Sequence, residues 1–588
     1  MSHFNRYYQD ELAFLRELGR EFAKANPDAA PFLSEPSADP DVERLLEGVA
    51  FLTGRIRQKL DDELPEVTHA LIDALFPHYL RPTPAMTIVQ FQPAPTQRET
   101  VRVPAQAALD ALPLDGTACR FRTVWPVAVS PVRLERVTAE PGPPIKLRIE
   151  FRLPAGATFG SLGLDRLRLY LGGDTAAART LHLCLVRNQG LAMEIDGRKL
   201  ASGLLASGPL TSGLLTSGLL EIAPVGFAED EALLPNPGDA GDAHRLLQEW
   251  FTFPQKFHAV DILGLAGVRV PADAENRISL IVTCAADMRH VPPLTPSSLL
   301  LNCTPAVNIF TVNGEPLTID HTRTEHRLRP AGIDPRHVEV FAVTHVEGRT
   351  RGVAEALPYH RKMHAHGDLQ QRTWQERRRP AVVDEGVDVD LLLSNVAPTS
   401  GNVVISTTLL CTNRHLPMHL GIGDVRLATR DLPAGVTFSN LTIPTAAVSP
   451  VLAGDLHWRL LSHVILDYGS ALTVDGLRGL LKLYDLRALT DQGARLAHQR
   501  LAESIIAVRT TRATRYLDGI PIRGIAVIIE LDDERLGGIG EAQMFGAVLD
   551  GFLAGFVSLN AFTRLSLMCR QQGNVLTWPD RLGRRQLL

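Results

Sequence analysis

The strongest constraint on this chain is a change of period near residue 86. Before it, apolar residues recur every three or four positions; after it, they alternate. From about Asn5 to Ala25, the residues Phe4, Tyr8, Leu12, Leu15, Leu18 and Phe22 share one helical face, and Asn26-Pro27 ends the run. Asp39-Pro40 then supplies an N-cap and a proline in the first turn. Val42, Leu45, Val49, Leu52, Ile56 and Leu60 follow in a nearly heptad stripe, which needs another helix to cover it. A third helix is predicted from about Pro65 to Leu75, and Pro77, Pro82 and Pro84 force an extended exit. The stripes can be covered by this chain or by a partner, and the pattern weighs the two equally.

Beyond Met86 the chain reads as antiparallel sheet with one wet face: Met86 to Gln92, Lys146 to Leu153, Arg166 to Leu171 and Leu181 to Val186 all alternate between Pro and Gly turns. Later segments mix types. His244 to Phe251 reads as a helix; Ala259 to Leu263, Ile278 to Val282, His337 to Val343 and Asn402 to Leu409 read as strands. Val474 to Tyr484, Gln492 to Ile505 and Glu541 to Ser558 read as helices around a buried strand, Gly524 to Leu531. The expected fold class is α+β multidomain, with a helical region over 1–85, a β domain over 86–225, a mixed connector over 226–299, a second β-rich domain over 300–452 and an α+β domain over 453–588. A chain of 588 residues exceeds one ordinary core. A tract in which Ser-Gly recurs at 202, 207, 212 and 217 reads as a lengthened loop.

Composition excludes several function classes. The 60 Lys and Arg against 65 Asp and Glu leave a net charge of −5, so no overall basic field favours nucleic acid or anionic lipid. The six cysteines form no CxxC pair, which argues against a close-spaced zinc site and for scattered thiols in a reducing compartment. The N-terminus lacks the apolar core of a signal peptide, and no apolar run reaches the ~18 residues of a membrane span. A cytoplasmic location follows as the expectation, with membrane contact only through partners.

Three patterns could carry chemistry. His360, His364 and His366 could bind a metal through imidazole, and His364, His366 and Asp368 resemble the start of the HxHxDH motif of metallo-β-lactamase-like hydrolases. Leu369 stands where that motif needs a histidine, and Arg361 and Lys362 would repel a cation. Arg377, Arg378 and Arg379 could clamp an acidic group, though such runs are more often solvated. Gly537, Gly538 and Gly540 precede a helix as a nucleotide loop would, but neither GxGxxG nor GxxxxGK is present and Asp532, Asp533 and Glu534 would repel phosphate. No metal, cofactor or catalytic site is assigned.

The N-terminal block, Tyr7-Tyr8 to Leu18, Glu21-Phe22-Ala23, Asp39 to Leu52, Lys59 to Glu63 and Phe76 to Pro82, resembles the TssF family (also VasA or ImpG) of type VI secretion baseplate subunits. The resemblance continues through Phe253 to Phe257, Leu301 to Pro305 with Asn308, Glu315-Pro316, Asp320-His321, Thr412-Asn413-Arg414, Trp458 to Ser462, Arg523-Gly524, Phe545-Gly546 with Leu549-Asp550, and Asn560 to Phe562. The Ser-Gly tract departs from it, as does Ala259-Val260, which stands where the family usually has aromatics. The resemblance implies a non-enzymatic scaffold of a phage-tail-like contractile machine, docked at the inner-membrane complex through partners. It implies that copies of this chain wrap one TssG into a wedge joined by TssK, within a baseplate that also meets the VgrG spike, TssE and the sheath. The partner seam is placed on Phe4, Tyr8, Leu12, Leu15, Phe22, Leu52, Ile56, Phe76 and Tyr79, with intrachain core as the competing reading of the same residues. The alternative functions are a β-rich ligand-binding module and a metal-dependent hydrolase built on His360, His364 and His366.

Overall fold

The structure is a computed structural model. It describes the chain apart from residues 1–2, 26–39, 62–64, 197, 200–219, 236–241, 269–275, 286–290, 320–321, 351–356, 362–371, 382–385, 395–402, 453–456, 459, 461–471, 518 and 584–588. The Ser-Gly tract lies outside the described residues. The chain forms two compact units, Met1–Leu80 with Val451–Val464, and Arg81–Pro450 with Ile465–Leu588.

The first unit holds three helices, α1 (His3–Ala25), α2 (Pro40–Asp61) and α3 (Pro65–Leu75), where the spacing predicts them. Helices α1 and α2 form an antiparallel hairpin, with ion pairs Arg16–Glu43 and Arg57–Glu11 at 2.7 Å each. Such half-exposed pairs contribute only ~0–1 kcal/mol and set register more than stability. The contact runs through small residues. Ala50 is fully buried, and a Cβ on Gly54 would stand 3.2 Å from the backbone nitrogen of Tyr8. The proline exit becomes a short turn, Pro77–Leu80, and the later segment returns to this unit: His69 Nε2 lies 2.9 Å from the Leu452 carbonyl, and its ring meets His457 edge-on at 5.0 Å. Residues on both sides of the expected border at 452/453 therefore sit with the N-terminal helices.

The second unit is mostly antiparallel sheet. One six-stranded sheet runs in the order Val425–Ala428, Ala108–Ala111, Arg120–Thr123, Cys303–Val307, Met86–Gln92, Thr437–Asn440. Next to it in sequence, a five-stranded sheet centred on Arg277–Thr283 and a four-stranded sheet containing Arg166–Leu171 and Ala259–Leu263 share a core with helix α4 (Thr175–Val186). A third body is a sandwich whose sheets are centred on Val403–Thr412 and on Val387–Ser394, around Trp374, Leu391 and Leu409. The expected borders at 225/226 and 299/300 do not separate sheets: Glu221–Pro224 and Leu299–Leu301 share one sheet with Arg166–Leu171, and Cys303–Val307 pairs with Met86–Gln92. Those borders follow local changes of pattern, whereas strand pairing is non-local.

Helix α4 corrects a predicted strand at Leu181 to Val186. Asp174 caps it by accepting from the backbone of Ala176 and Ala177, and Ala176, Ala177 and Ala178 favour helix. Leu181, His182, Leu183, Cys184 and Leu185 are all buried, because the helix packs on both sides and so carries no amphipathic stripe.

Helices α5 (Asp242–Thr252), α6 (Val474–Tyr484) and α7 (Gln492–Ser504) lie near their predicted positions. In the C-terminal part, Ile520–Leu531 and Ala561–Cys569 pair in parallel, joined by the crossover helix α8 (Ile539–Ala554). Ile505–Leu517 forms a long hairpin with Ile520–Leu531 and stands at the edge of this sheet. The α+β class is as expected.

Candidate functional site

None of the three chemical patterns assembles a reactive centre among the described residues. His360 is exposed on the short strand His360–Arg361; Lys362, His364, His366, Asp368 and Leu369 lie outside the described residues. No group of three or more metal-ligating side chains occurs among the described residues. The arginine run pairs with its own sandwich: Arg378 is buried and donates to the carbonyls of Val340 and Phe341 at 3.1 and 2.6 Å and to Glu376 at 2.8 Å, while the exposed Arg379 pairs with Asp390 at 2.5 Å. Gly537 and Gly538 have φ of +111° and +108°, and a Cβ on Gly540 would stand 2.7 Å from the Arg179 backbone. That helix start packs on protein, with Glu541 paired to Arg179. All six thiols are free and buried.

The buried polar groups instead form joints. Arg168 makes two 2.8 Å bonds to Asp261 and one of 2.7 Å to Glu231, with its guanidinium 4.6 Å over the Trp125 ring. Glu249 accepts from Arg245 at 3.0 Å and from the Leu233 N–H at 2.8 Å, and it pairs with Lys256, which is fully buried. Asn308 and Asn413 exchange amide bonds at 2.8 and 2.7 Å and tie Arg120 and His337 to the same point. Lys256, Asn308 and Asn413 are among the residues that carry the family resemblance, and they hold the body together rather than facing a ligand.

One joint is set to respond to acid. His182 is buried with neither ring nitrogen hydrogen-bonded, and burial pushes its pKa down from 6.5 to about 4. His258, which accepts from Arg179 Nε at 3.3 Å, is lowered too, by burial and then by the charge of Arg179. An unfolded histidine takes its proton near 6.5, so below that pH the unfolded chain binds more protons and stability falls as pH falls. We expect His182 alone to remove about 3 kcal/mol between pH 6.5 and 4. In thermal unfolding followed against pH, His182→Leu should flatten this fall, and an unchanged fall would contradict the assignment.

The first unit carries a surface of another kind. On α1, Phe14, Leu18 and Phe22 are 57%, 52% and 52% exposed; on α2, Leu45, Val49, Leu52 and Ile56 are 70%, 44%, 62% and 61% exposed. Both sets recur at helical spacing, so each helix presents a continuous apolar row to solvent. The hairpin buries the small-residue side of α2 and leaves its large side chains outward.

The residues expected at a partner seam are therefore divided. Phe22, Leu52 and Ile56 lie on the exposed rows. Tyr8, Leu12 and Leu15 are half-buried, on the side of α1 that adjoins the exposed row. Phe76 and Tyr79 are each only 3% exposed, which leaves them little surface for a partner. Phe4 belongs to α1, but its side chain is not described. The expected seam leaves out Phe14, Leu18, Leu45 and Val49 of these rows, although Leu45 and Val49 stand in the same predicted stripe as Leu52.

The profile of a known family, described as "Type VI secretion system, TssF", matches residues 1–585. The type VI secretion system component TssF1 of Pseudomonas aeruginosa is 30% identical over 624 aligned positions that cover 98% of each chain. Among solved structures, one chain of a cryo-electron microscopy structure of the type VI secretion TssK-TssF-TssG baseplate subcomplex superposes with a TM-score of 0.75 at 29% identity, covering 92% of this chain and 99% of the other. A chain of the baseplate complex from the type VI secretion system superposes with a TM-score of 0.68 at 28% identity, covering 99% and 100%.

Proposed function

This chain belongs to the TssF family of type VI secretion system components, and we propose that it works as a wedge subunit of the baseplate, a scaffold that binds and does not catalyse. The observation that carries this reading is the pair of apolar rows on α1 and α2. Contiguous exposed apolar surface of this kind marks an interaction site on a soluble protein. Helical rows fit partner helices best, because ridges of one helix fill the grooves of another. The similar chain solved in complex with TssK and TssG supports TssG and TssK as the partners.

The rows would be covered by TssG, together with a further copy of this chain, in a shared helical bundle. The sheet-rich unit, with its buried ionic and amide joints, would carry the load between that bundle and TssK, TssE, the VgrG spike and the sheath. No helix among the described residues is long and apolar enough to cross a membrane, which fits docking at the inner membrane through partners.

Co-expression with TssG and TssK, followed by purification through a tag on this chain, tests the reading. A stable complex that retains TssG and TssK is expected. A chain recovered free of both would overturn the proposal.

A further inference from the structure

The C-terminal sheet ends in an arm that the wedge reading leaves without a role. Among the described residues, Ile505–Leu517 has a strand on one side only, Ile520–Leu531. Its first residues are covered by α6, where Arg478 donates to the carbonyls of Ala502 and Ile505 at 2.8 Å each. From Arg509 onward the residues are largely exposed, and no strand lies along the outer edge among the described residues. Such an edge is a template for another strand unless something blocks it.

The chemistry of the edge selects what can pair there. Arg509 and Arg512 are exposed on opposite faces of the strand, and Arg523 is exposed across from Thr514. None of these three makes an ion pair among the described residues. Arg515 lies 3.5 Å from Asp580, an acid already engaged by Arg564 at 2.6 Å. At the far end, Tyr516 and Ile520 are 72% and 66% exposed, with Pro521 opposite Tyr516. Pairing with a second copy of this chain would set arginines against arginines, and like charges across a strand pair are destabilising. Arginines alone could be there only to keep the edge unpaired, but an exposed aromatic and an exposed isoleucine beside them would defeat that purpose.

We propose that the outer edge of Ile505–Leu517 takes an extended acidic segment of another protein as an added strand. Main-chain bonds along the edge would supply affinity, and carboxylates on both faces of the incoming strand would meet Arg509 and Arg512, with Arg523 adding to the positive field behind them. Apolar residues of the segment would cover Tyr516 and Ile520.

Photo-cross-linking from p-benzoylphenylalanine at Thr511, in cells expressing the complete secretion gene cluster, tests this directly. The expected adduct is a segment of a different protein rich in Asp and Glu. Arg509→Glu with Arg512→Glu should lower its yield about tenfold, as two attractive pairs turn repulsive, while Lys at the same two positions should keep it. Absence of an adduct, an adduct only with another copy of this chain, an adduct segment without acidic excess, or a yield indifferent to charge reversal would each overturn the proposal. Recovery of TssG with the tagged chain is read separately, so failure of the wedge reading is distinguishable from failure of this one.

Discussion

Replacing Leu52 and Ile56 together with glutamate releases TssG from this chain and leaves the chain folded. Both side chains are more than half exposed, at 62% and 61%, so the isolated hairpin loses little by the change. Across an interface each would be worth about 1.5–3 kcal/mol of apolar burial. Glutamate also brings a charge that an apolar bundle cannot solvate. Together these effects weaken the complex by at least about a hundredfold. Pull-down yield reports the loss, and circular dichroism of the free chain reports that the helices remain. Tyr8 and Leu15 are poorer places for this test: they are half-buried on α1, so a charge there disturbs the chain itself along with any partner contact. Full recovery of TssG with the Leu52 and Ile56 variant would remove the rows from the interface.

Glu249→Ala should unfold the centre of the sheet-rich unit at temperatures the parent chain tolerates. Glu249 is 2% exposed and is the acid that faces Arg245 and Lys256, with Lys256 fully buried. Removing one partner of a buried ion pair costs about 3–5 kcal/mol, because the remaining charge stays buried without compensation. Here Arg245, Lys256 and the Leu233 N–H each lose one partner at once. Burial already pushes the Lys256 pKa down from 10.5 to about 8, against the pull of Glu249. Above pH 8 the unfolded chain holds the extra proton until 10.5, so stability from this group rises with pH over that window. Without Glu249 the folded Lys256 pKa falls further, so the deficit of the variant should narrow as pH rises towards 8 and stay level above it. A deficit under about 1 kcal/mol at pH 7 would mean that the joint is not a structural one.

The helical region was legible because its signals are local. The Asp39-Pro40 start, the three-and-four spacing and the proline exit each act within a turn or two, and α1, α2 and α3 follow them. The face assignment was less legible. A stripe shows that a helix has an apolar side, not what covers it. In α2 the covering is done on the side of Ala50 and Gly54, where the backbones come close, and Leu45, Val49, Leu52 and Ile56 are left outward. Phe76 and Tyr79 are expected at the seam because aromatic anchors dominate such contacts; the turn at Pro77–Leu80 buries them instead.

Two further differences share a cause in non-local packing. The window from Leu181 to Val186 alternates by composition, yet a helix buried on both sides has no stripe to betray it. The six-stranded sheet draws on segments as distant as Met86–Gln92 and Thr437–Asn440, which no local border can foretell. The joints at Lys256, Asn308 and Asn413 left one usable signal. Each is a polar residue flanked by apolar or proline-containing runs, a setting in which burial forces a partner.

Thiol labelling tests the central claim most directly. The six native cysteines are buried, so Ile56→Cys introduces a single accessible thiol on the exposed row. Its alkylation should be fast in the free chain and strongly slowed in the complex with TssG. Equal rates in the two states would show that the row stays open to water in the assembly, and would contradict the account.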